Sequence, residues 1–134
     1  MAALLTAACC TVLAAGASQS DIPRLPAEKY TLDNGLTVIL HEDRSVPLVT
    51  VNVWYRVGSG DEVRGRTGFA HLFEHMMFMG SQHVAEGMFD RWLESAGSTT
   101  PNGSTNADRT NYFETLPSHG LPLALWLEGD RMGW

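Results

Sequence analysis

Alternating apolar and polar residues indicate β-strands in the first half of the chain. From residue 48 to residue 57 the side chains give one apolar and one polar face, which predicts a half-buried antiparallel strand. Residues 30–32 and 36–42 form two further runs on either side of residues 33–35, Asp-Asn-Gly. Because Asn-Gly accepts the positive φ angles of a type I′ turn, these runs predict a β-hairpin.

A helical period of apolar residues follows in three places. Residues 67–80 are filled with Leu, Phe and Met between bracketing glycines, residues 85–96 carry large apolar residues at helical spacing, and residues 121–132 form an amphipathic segment. Residues 97–106 are rich in Gly, Ser, Thr and Asn, so their composition predicts a loop, and residues 110–115 are predicted as a strand.

The first predicted helix carries the polar residues with the clearest chemical meaning. An α-helix turns about 100° per residue, so His71, Glu74 and His75 would share an arc of roughly 100°. Two imidazoles one turn apart can bind one zinc ion, and a catalytic zinc keeps three protein ligands and a position for water. Glu74 would stand beside that water and could take its proton. The spacing H-x-x-E-H, a zinc-peptidase signature, thus predicts two zinc ligands, His71 and His75, and one general base, Glu74.

A solvated helix face is the competing interpretation, and on the pattern alone the two are about evenly matched. Against it, the polar trio lies among apolar residues, and burying such groups without a partner is costly. These apolar neighbours are Leu72, Phe73, Met76, Met77, Phe78 and Met79. Residues 58–68 contain neither G-x-G-x-x-G nor the P-loop Lys-Ser/Thr, so they are interpreted as the connection that orients the helix.

Four segments, in order, resemble the insulinase-like zinc peptidases, also called pitrilysin-type or inverzincin peptidases. Residues 32–38 (LDNGLTV) are similar to the opening hairpin of that family, and residues 57–62 (VGSGDE) to its glycine loop. Residues 68–76 (GFAHLFEHM) are similar to its zinc helix, and residues 102–113 (NGSTNADRTNYF) to the segment after its second helix. The resemblance extends over residues 28–132.

This resemblance implies an α+β fold, in which an antiparallel sheet has helices packed on one face, and one Zn²⁺ per catalytic domain. It also implies that Asn102 and Gly103 bind the substrate, because the corresponding segment presents its backbone and an Asn side chain to an extended peptide that pairs as an added β-strand. Many relatives carry Asn-Ala at this place, and Gly exposes more backbone but holds it less firmly. The implied substrates are peptides or unfolded polypeptides.

The resemblance further implies that residues 28–134 are the N-terminal portion of an incomplete peptidase domain. Relatives take a third zinc ligand from a Glu roughly seventy to eighty residues beyond the second histidine, which completes the three-ligand set. Glu114, Glu128 and Asp130 do not match that position. A second homologous domain or a partner subunit is also expected, so residues 28–134 alone should be inactive and should fold weakly or not at all.

A zinc-dependent endopeptidase is therefore the function predicted from the sequence. One alternative is a non-catalytic peptide-binding or partner subunit of an insulinase-like peptidase. Such relatives usually lose the zinc motif, whereas His71, Glu74 and His75 are all present here. Another alternative is a plain metal-binding or structural domain, which would give the segment around Asn102 no purpose.

Residues 1–17 predict a secretory signal peptide. They carry no charge and end in a small-x-small pattern, which predicts cleavage before Ser18, although no Lys or Arg precedes the apolar run. Cys9 suggests a lipoprotein attachment site instead, but Leu5 lies one place too far from it for that pattern. After cleavage, residues 18–27 would form a linker and no cysteine would remain for disulfides. The product is expected to be periplasmic or secreted.

Charge and hydropathy argue against two kinds of partner. The formal net charge is −6 and the nine Lys and Arg residues are spread singly, so the sequence carries no nucleic-acid footprint. No later apolar run reaches the length of a membrane span. The expected partners are a peptide or unfolded polypeptide substrate and a second homologous domain or partner subunit.

Overall fold

The computed structural model describes residues 25–133 of the chain. The signal peptide predicted for residues 1–17 and most of the linker predicted for residues 18–27 lie outside this part, so they stay predictions. Within residues 25–133, no helix is both long and apolar enough to cross a membrane. The chain forms two compact units that divide between Glu42 and Asp43.

The unit before Asp43 contains the predicted β-hairpin. Strand β1 (Glu28–Thr31) pairs antiparallel with strand β2 (Thr37–Leu40). Their register joins Glu28 to Leu40 at one end and Thr31 to Thr37 at the other. The hairpin expected from the apolar runs is therefore present.

The predicted type I′ turn of this hairpin is wrong, because the turn begins one residue earlier. The backbone N–H of Gly35 donates to the carbonyl oxygen of Leu32 at 2.9 Å, so residues 33 and 34 occupy the centre of the turn. Leu36 N–H then donates to the side-chain oxygen of Asn34 at 3.1 Å. Gly35 follows the turn with a φ of +89°, a left-handed conformation that glycine adopts without steric cost.

A three-stranded antiparallel sheet is the base of the unit that starts at Asp43. Strands β3 (Leu48–Tyr55), β4 (Thr99–Thr105) and β5 (Thr110–Pro117) lie in the order β3–β5–β4. Strand β3 pairs with β5 along its whole length, from Leu48 opposite Pro117 to Tyr55 opposite Thr110. Its side chains alternate between exposed and buried or half-buried positions, as the sequence pattern predicts.

Strand β4 is the element for which composition is misleading. Residues 97–106 are predicted to be a loop from their Gly, Ser, Thr and Asn content, yet most of them form the edge strand β4. Asn102 pairs with Phe113 of β5, and this non-local pairing outweighs the low strand propensity of the segment. The register shifts once, ahead of Asn102.

Three α-helices complete the described fold: α1 (Phe69–Met76), α2 (Met88–Ser95) and α3 (Leu121–Met132). The bounds of α3 are those predicted from the sequence. The helix predicted to run to Gly80 stops at Met76, because the backbone tightens there. Phe78 N–H donates to His75 O at 3.1 Å, a three-residue spacing typical of a 3₁₀ turn.

Helix α2 begins three residues later than predicted. Met88 N–H donates to the carbonyl oxygen of Ala85 at 3.0 Å, so residues 85–88 form a separate turn that precedes the helix. The large apolar side chains of α2 still face inward, since Phe89 and Leu93 are buried. Core packing of this helix is thus confirmed.

The hydrophobic core lies between the sheet and the helices. Its buried members come from strands β3 and β5, from α2 and α3, and from the loop before α2; they are Val51, Val84, Phe89, Leu93, Leu116, Ala124 and Leu127. Burial of such side chains is the main force that holds a sheet and its helices together. The predicted α+β class, with an antiparallel sheet and helices, is confirmed.

Candidate active site

Glu62 fixes the start of helix α1. Its carboxylate accepts the backbone N–H groups of Gly68 and Ala70, each at 2.8 Å, and thereby satisfies donors that a helix N-terminus leaves without partners. These hydrogen bonds, the one from Ala70 first, hold the pKa of Glu62 below its ordinary value. Gly68 has a φ of +93°, so the chain can turn sharply into the helix. The first helical turn then carries His71.

Backbone hydrogen bonds tie the loop before α1 to the turn between β4 and β5. Ser59 N–H donates to Asn106 O at 2.8 Å, and Gly60 N–H donates to Ala107 O at 2.9 Å. Residues 58–68 therefore connect β3 to α1, as interpreted from the sequence, and they also anchor the start of the helix to the end of β4.

His71 and His75 lie one helical turn apart, with their imidazoles close together. Their Nε2 atoms are 3.1 Å apart and their ring centroids 4.7 Å apart, and both side chains are exposed. Two nitrogens bound at about 2.0–2.1 Å to one tetrahedral zinc would be roughly 3.3 Å apart. The pair can therefore share a zinc ion with only a small adjustment.

The two imidazoles are suitable zinc ligands, but they are fewer than a catalytic zinc site requires. Neutral imidazole is a preferred zinc ligand, but a catalytic zinc needs three protein ligands. Within residues 25–133, no group of three or more His, Cys, Asp or Glu side chains is placed to hold a metal ion. The two histidines of α1 would have to be joined by a ligand from another part of the protein.

Glu74 is buried on the side of α1 that faces strand β4. The residue is 7 % exposed, and its Oε2 atom accepts a hydrogen bond from the hydroxyl of Thr105. The Thr105 hydroxyl also lies 3.2 Å from that of Thr110, which donates to Val57 O at 3.0 Å. The Thr105 hydroxyl thus holds the Glu74 carboxylate in place while the neighbouring His75 stays exposed.

Gly103 allows strand β4 to approach this carboxylate closely. A Cβ atom at Gly103 would lie 3.2 Å from Glu74 Oε1 and 3.2 Å from Glu74 Cγ, tighter than ordinary van der Waals contact. The preceding residue, Asn102, is exposed, and its Oδ1 atom accepts the Gly103 N–H at 2.8 Å. The structure therefore brings the predicted substrate-binding pair next to the predicted base.

A groove with a volume of about 650 Å³ runs beside Glu74, between α1, α2 and β4. Its lining residues are Glu74, His75, Phe78, Met79, Asp90, Glu94, Ser98, Thr99, Pro101 and Asn102. Three of the five predicted site residues line this groove: Glu74, His75 and Asn102. The other two adjoin it, since Gly103 lies against Glu74 and His71 against His75.

Thr105 is the site residue that the sequence analysis misses. A weak signal for it exists, because Gly103 and Thr105 are two positions apart and lie on the same face of a β-strand. That signal becomes readable only once the segment is known to be a strand and not a loop.

Fold and motif together define a class of protein: an α+β domain in which a helix with the pattern H-x-x-E-H packs beside the edge strand of an antiparallel sheet, as in inverzincin peptidases. The model of the family described as insulinase, peptidase family M16, matches residues 37–127. The chain therefore belongs to the insulinase family.

Curated relatives include two proteins with peptidase names. The chain is 36 % identical over 122 residues to the zinc protease PqqE of Helicobacter pylori, a match that covers 87 % of this chain and 26 % of the relative. It is 33 % identical over 115 residues to the probable mitochondrial-processing peptidase subunit beta of Arabidopsis thaliana, covering 85 % and 22 %. The chain thus spans about a quarter of the length of these relatives.

Solved structures give the same result for the fold. A protease from Helicobacter pylori matches with a TM-score of 0.78 and 34 % identity, over 82 % of this chain and 26 % of that one. Pitrilysin matches with a TM-score of 0.73 and 28 % identity, over 85 % of this chain and 12 % of that one. The resemblance noted from the sequence motifs is confirmed by these matches.

Proposed function

We propose that this chain carries part of the active site of a zinc-dependent endopeptidase. One observation carries the proposal: the buried Glu74 carboxylate lies between an exposed pair of histidines and an edge strand. A base held beside two potential zinc ligands and in front of a strand-shaped binding surface has the parts that amide hydrolysis needs. The names of the relatives support a zinc protease.

In the proposed mechanism, His71 and His75 would hold the ion through their Nε2 atoms. Zinc bound there would supply polarisation of the substrate carbonyl and a lowered pKa of the attacking water. Glu74 accepts a proton from that water and later delivers it to the leaving amine. Thr105 keeps Oε2 of Glu74 turned toward β4 through its hydroxyl, so that Oε1 faces the open side of Gly103.

The proposed substrate is a peptide or an unfolded polypeptide. Strand β4 is one of the two edge strands of the described sheet, so an extended chain could add to it as a further strand through main-chain hydrogen bonds. Asn102 and Gly103 would contact this chain next to Glu74. The third zinc ligand and a second homologous domain or partner subunit would come from parts of the protein that the relatives have and this chain does not cover.

A second proposal is a non-catalytic subunit, which would bind peptides at β4 without hydrolysing them. A non-catalytic subunit could present β4 to peptides and support an active partner, and processing peptidases with named subunits occur among the relatives. The preserved histidine pair and the ordered Glu74 favour the enzyme, because a binding subunit requires neither.

The replacement of Glu74 by Gln tests the proposal. The Glu74→Gln variant of the purified full-length protein should keep its zinc, because the histidines are intact, and lose hydrolysis of a quenched peptide by about 10²-fold or more. His71→Ala is the matched variant and should lose the zinc as well. Metal analysis and chelator sensitivity provide the readout. Hydrolysis by Glu74→Gln at the original rate would contradict the mechanism, and a zinc-free protein that still binds peptide would favour the subunit.

We also propose that the protein is exported, on the basis of the uncharged apolar residues 1–17. N-terminal sequencing of the mature protein should then give Ser18 as the first residue. An N-terminus that begins at Met1 would contradict the export proposal and would leave the peptidase proposal unaffected.

A further inference from the structure

A buried ion pair joins two successive turns of helix α3. Arg131 and Glu128 each have side chains only 2 % exposed. Arg131 Nε donates to Glu128 Oε2 at 2.9 Å, and Arg131 Nη2 donates to Glu128 Oε1. Two parallel N–H···O bonds fix the plane of a guanidinium group, so the orientation of Arg131 depends on that of Glu128.

Three aromatic rings surround the guanidinium group. The Arg131 Cζ atom lies 4.2 Å from the ring centroid of Tyr112, 4.6 Å from that of Phe89 and 5.6 Å from that of Phe78. All three distances fall within the range of cation–π attraction. Phe78 also lines the groove beside Glu74. Arg131 therefore supports one wall of the groove from behind.

A second buried carboxyl group, that of Glu114 on β5, faces this ion pair. Glu114 is 1 % exposed, and within residues 25–133 no hydrogen-bond donor reaches either of its oxygens, as an ionised carboxylate would require. Glu114 lies two positions from Tyr112 on β5, so both side chains leave the same face of the strand, the face on which Tyr112 meets Arg131. Two ionised carboxylates beside one guanidinium would leave a buried negative charge unpaired, which is strongly destabilising.

We infer that Glu114 is a neutral carboxylic acid in the folded protein and that its O–H group donates a hydrogen bond to Glu128. The hydrogen of the Glu114 hydroxyl is then used in the bond to Glu128, and Glu114 carries no charge. The charges that remain, negative on Glu128 and positive on Arg131, balance each other. Glu128 keeps its oxygens turned toward Arg131, and Arg131 keeps its place behind Phe78. Glu114 is thus a positioning residue that acts on the groove wall through Glu128 and Arg131.

The titratable groups that face Glu114 agree with this protonation state. Burial, together with the negative charge of Glu128, raises the pKa of Glu114 to about 8, and Arg131 opposes only part of this rise. Burial raises the pKa of Glu128 too, and Arg131 opposes that rise. Because Arg131 donates to both oxygens of Glu128, the proton is assigned to Glu114. Tyr55 and Tyr112 have pKa values raised by burial and remain neutral hydroxyl groups.

Infrared spectroscopy tests the protonation directly. The purified full-length protein near neutral pH should show the C=O stretch of a protonated carboxylic acid above the amide I band, and Glu114→Gln should lack it. Glu86→Gln, which changes an exposed loop residue, is the matched control and should keep the band. A wild-type spectrum without the band, or a band that persists in Glu114→Gln, would overturn the inference.

The pH dependence of stability supplies a second test. Folded Glu114 keeps its proton up to about pH 8, whereas the unfolded residue loses it near pH 4.5, so wild-type stability should fall as the pH rises between these values. Glu114→Gln should fold, because its amide can donate to Glu128. Its stability should depend less steeply on pH, by the contribution of one proton, when denaturation midpoints are compared between pH 4.5 and pH 8. An unchanged pH dependence in Glu114→Gln, or its failure to fold, would contradict the inference.

Glu128→Gln separates the roles of the two carboxyl groups. This variant leaves Arg131 without its charged partner, so it should be less stable at pH 7 than Glu114→Gln. Equal losses in the two variants would argue against a neutral Glu114. None of these measurements involves zinc or a peptide, so their outcome is independent of the proposed peptidase activity.

Discussion

Glu74 is held from two sides by strand β4. On one side Thr105 donates a hydrogen bond to its Oε2 atom, and on the other Gly103 leaves free the space that a side chain would occupy. A carboxylate that rotates freely is a less effective general base, because its lone pair must point at the proton it removes. The orientation of the proposed base is therefore set by the strand and not by its own helix.

The loss of the Thr105 hydroxyl should slow catalysis without affecting zinc. Thr105→Val keeps the shape of the side chain but removes the donor to Glu74, and a hydrogen bond to a charged group is worth about 1.5–3 kcal/mol, so kcat should fall roughly tenfold to a hundredfold. Thr105→Ser retains the hydroxyl and is the matched control. Steady-state kinetics and zinc content of both variants provide the measurement; equal kcat values in the two would show that the hydroxyl has no positioning role.

At the level of elements, α1 depends on the contacts at its start. It has eight residues, and isolated helices of that length are not stable in water. Glu62 supplies hydrogen-bond acceptors to its first turn, and the loop from Ser59 to Gly60 attaches that turn to the end of β4. The helix thus sets the distance between His71 and His75, while the loop before it sets the direction in which the helix presents them.

Loss of the Glu62 carboxylate should destabilise the protein at neutral pH more than in acid. Backbone N–H groups, that of Ala70 first, lower the pKa of Glu62 from its ordinary 4.5, so the stabilisation is present above pH 4.5 and is lost as the pH falls through the lowered value. Denaturation midpoints of Glu62→Gln and wild type should differ at pH 7 and converge as the pH falls below the lowered pKa of Glu62. Glu86→Gln is the exposed control, and a difference of the same size at both pH values would contradict this role.

Local geometry explains which elements could be predicted from the sequence. Helix α3 and the site residues of α1 follow from spacings of three and four residues, which any helix converts into a shared face. Strand β4 could not be predicted from composition, because its residues form a strand only through pairing with β5. Thr105 and Glu114 depend on that same register, so their partners, Glu74 and Glu128, are not visible from local patterns.

At the scale of the molecule, the unit that starts at Asp43 exposes many large apolar side chains. Five of them belong to α1 and the turn after it, with exposures between 48 % and 57 %: Phe69, Leu72, Phe73, Met76 and Met79. Soluble monomers rarely expose a contiguous apolar surface of this kind, and such patches usually mark an interface. This observation agrees with the fact that the chain spans about a quarter of the length of its relatives.

Residues 28–134 expressed alone should therefore fold weakly. The apolar side of α1 would face water, so we expect a broad thermal transition with little change in heat capacity and a tendency to associate. Calorimetry and light scattering of this segment, beside the full-length protein as the control, provide the measurement. A sharp two-state transition of a monomer would contradict the prediction.

The open edge of β4 has one consequence for selectivity. An edge strand binds an added peptide through main-chain hydrogen bonds, and the main chain is the same in every polypeptide. In natively folded proteins most main-chain N–H and C=O groups are already hydrogen-bonded within the protein, so few are available to pair with such an edge. If β4 binds peptides as proposed, selection at this surface would depend first on whether a polypeptide is natively folded and only then on its amino-acid sequence.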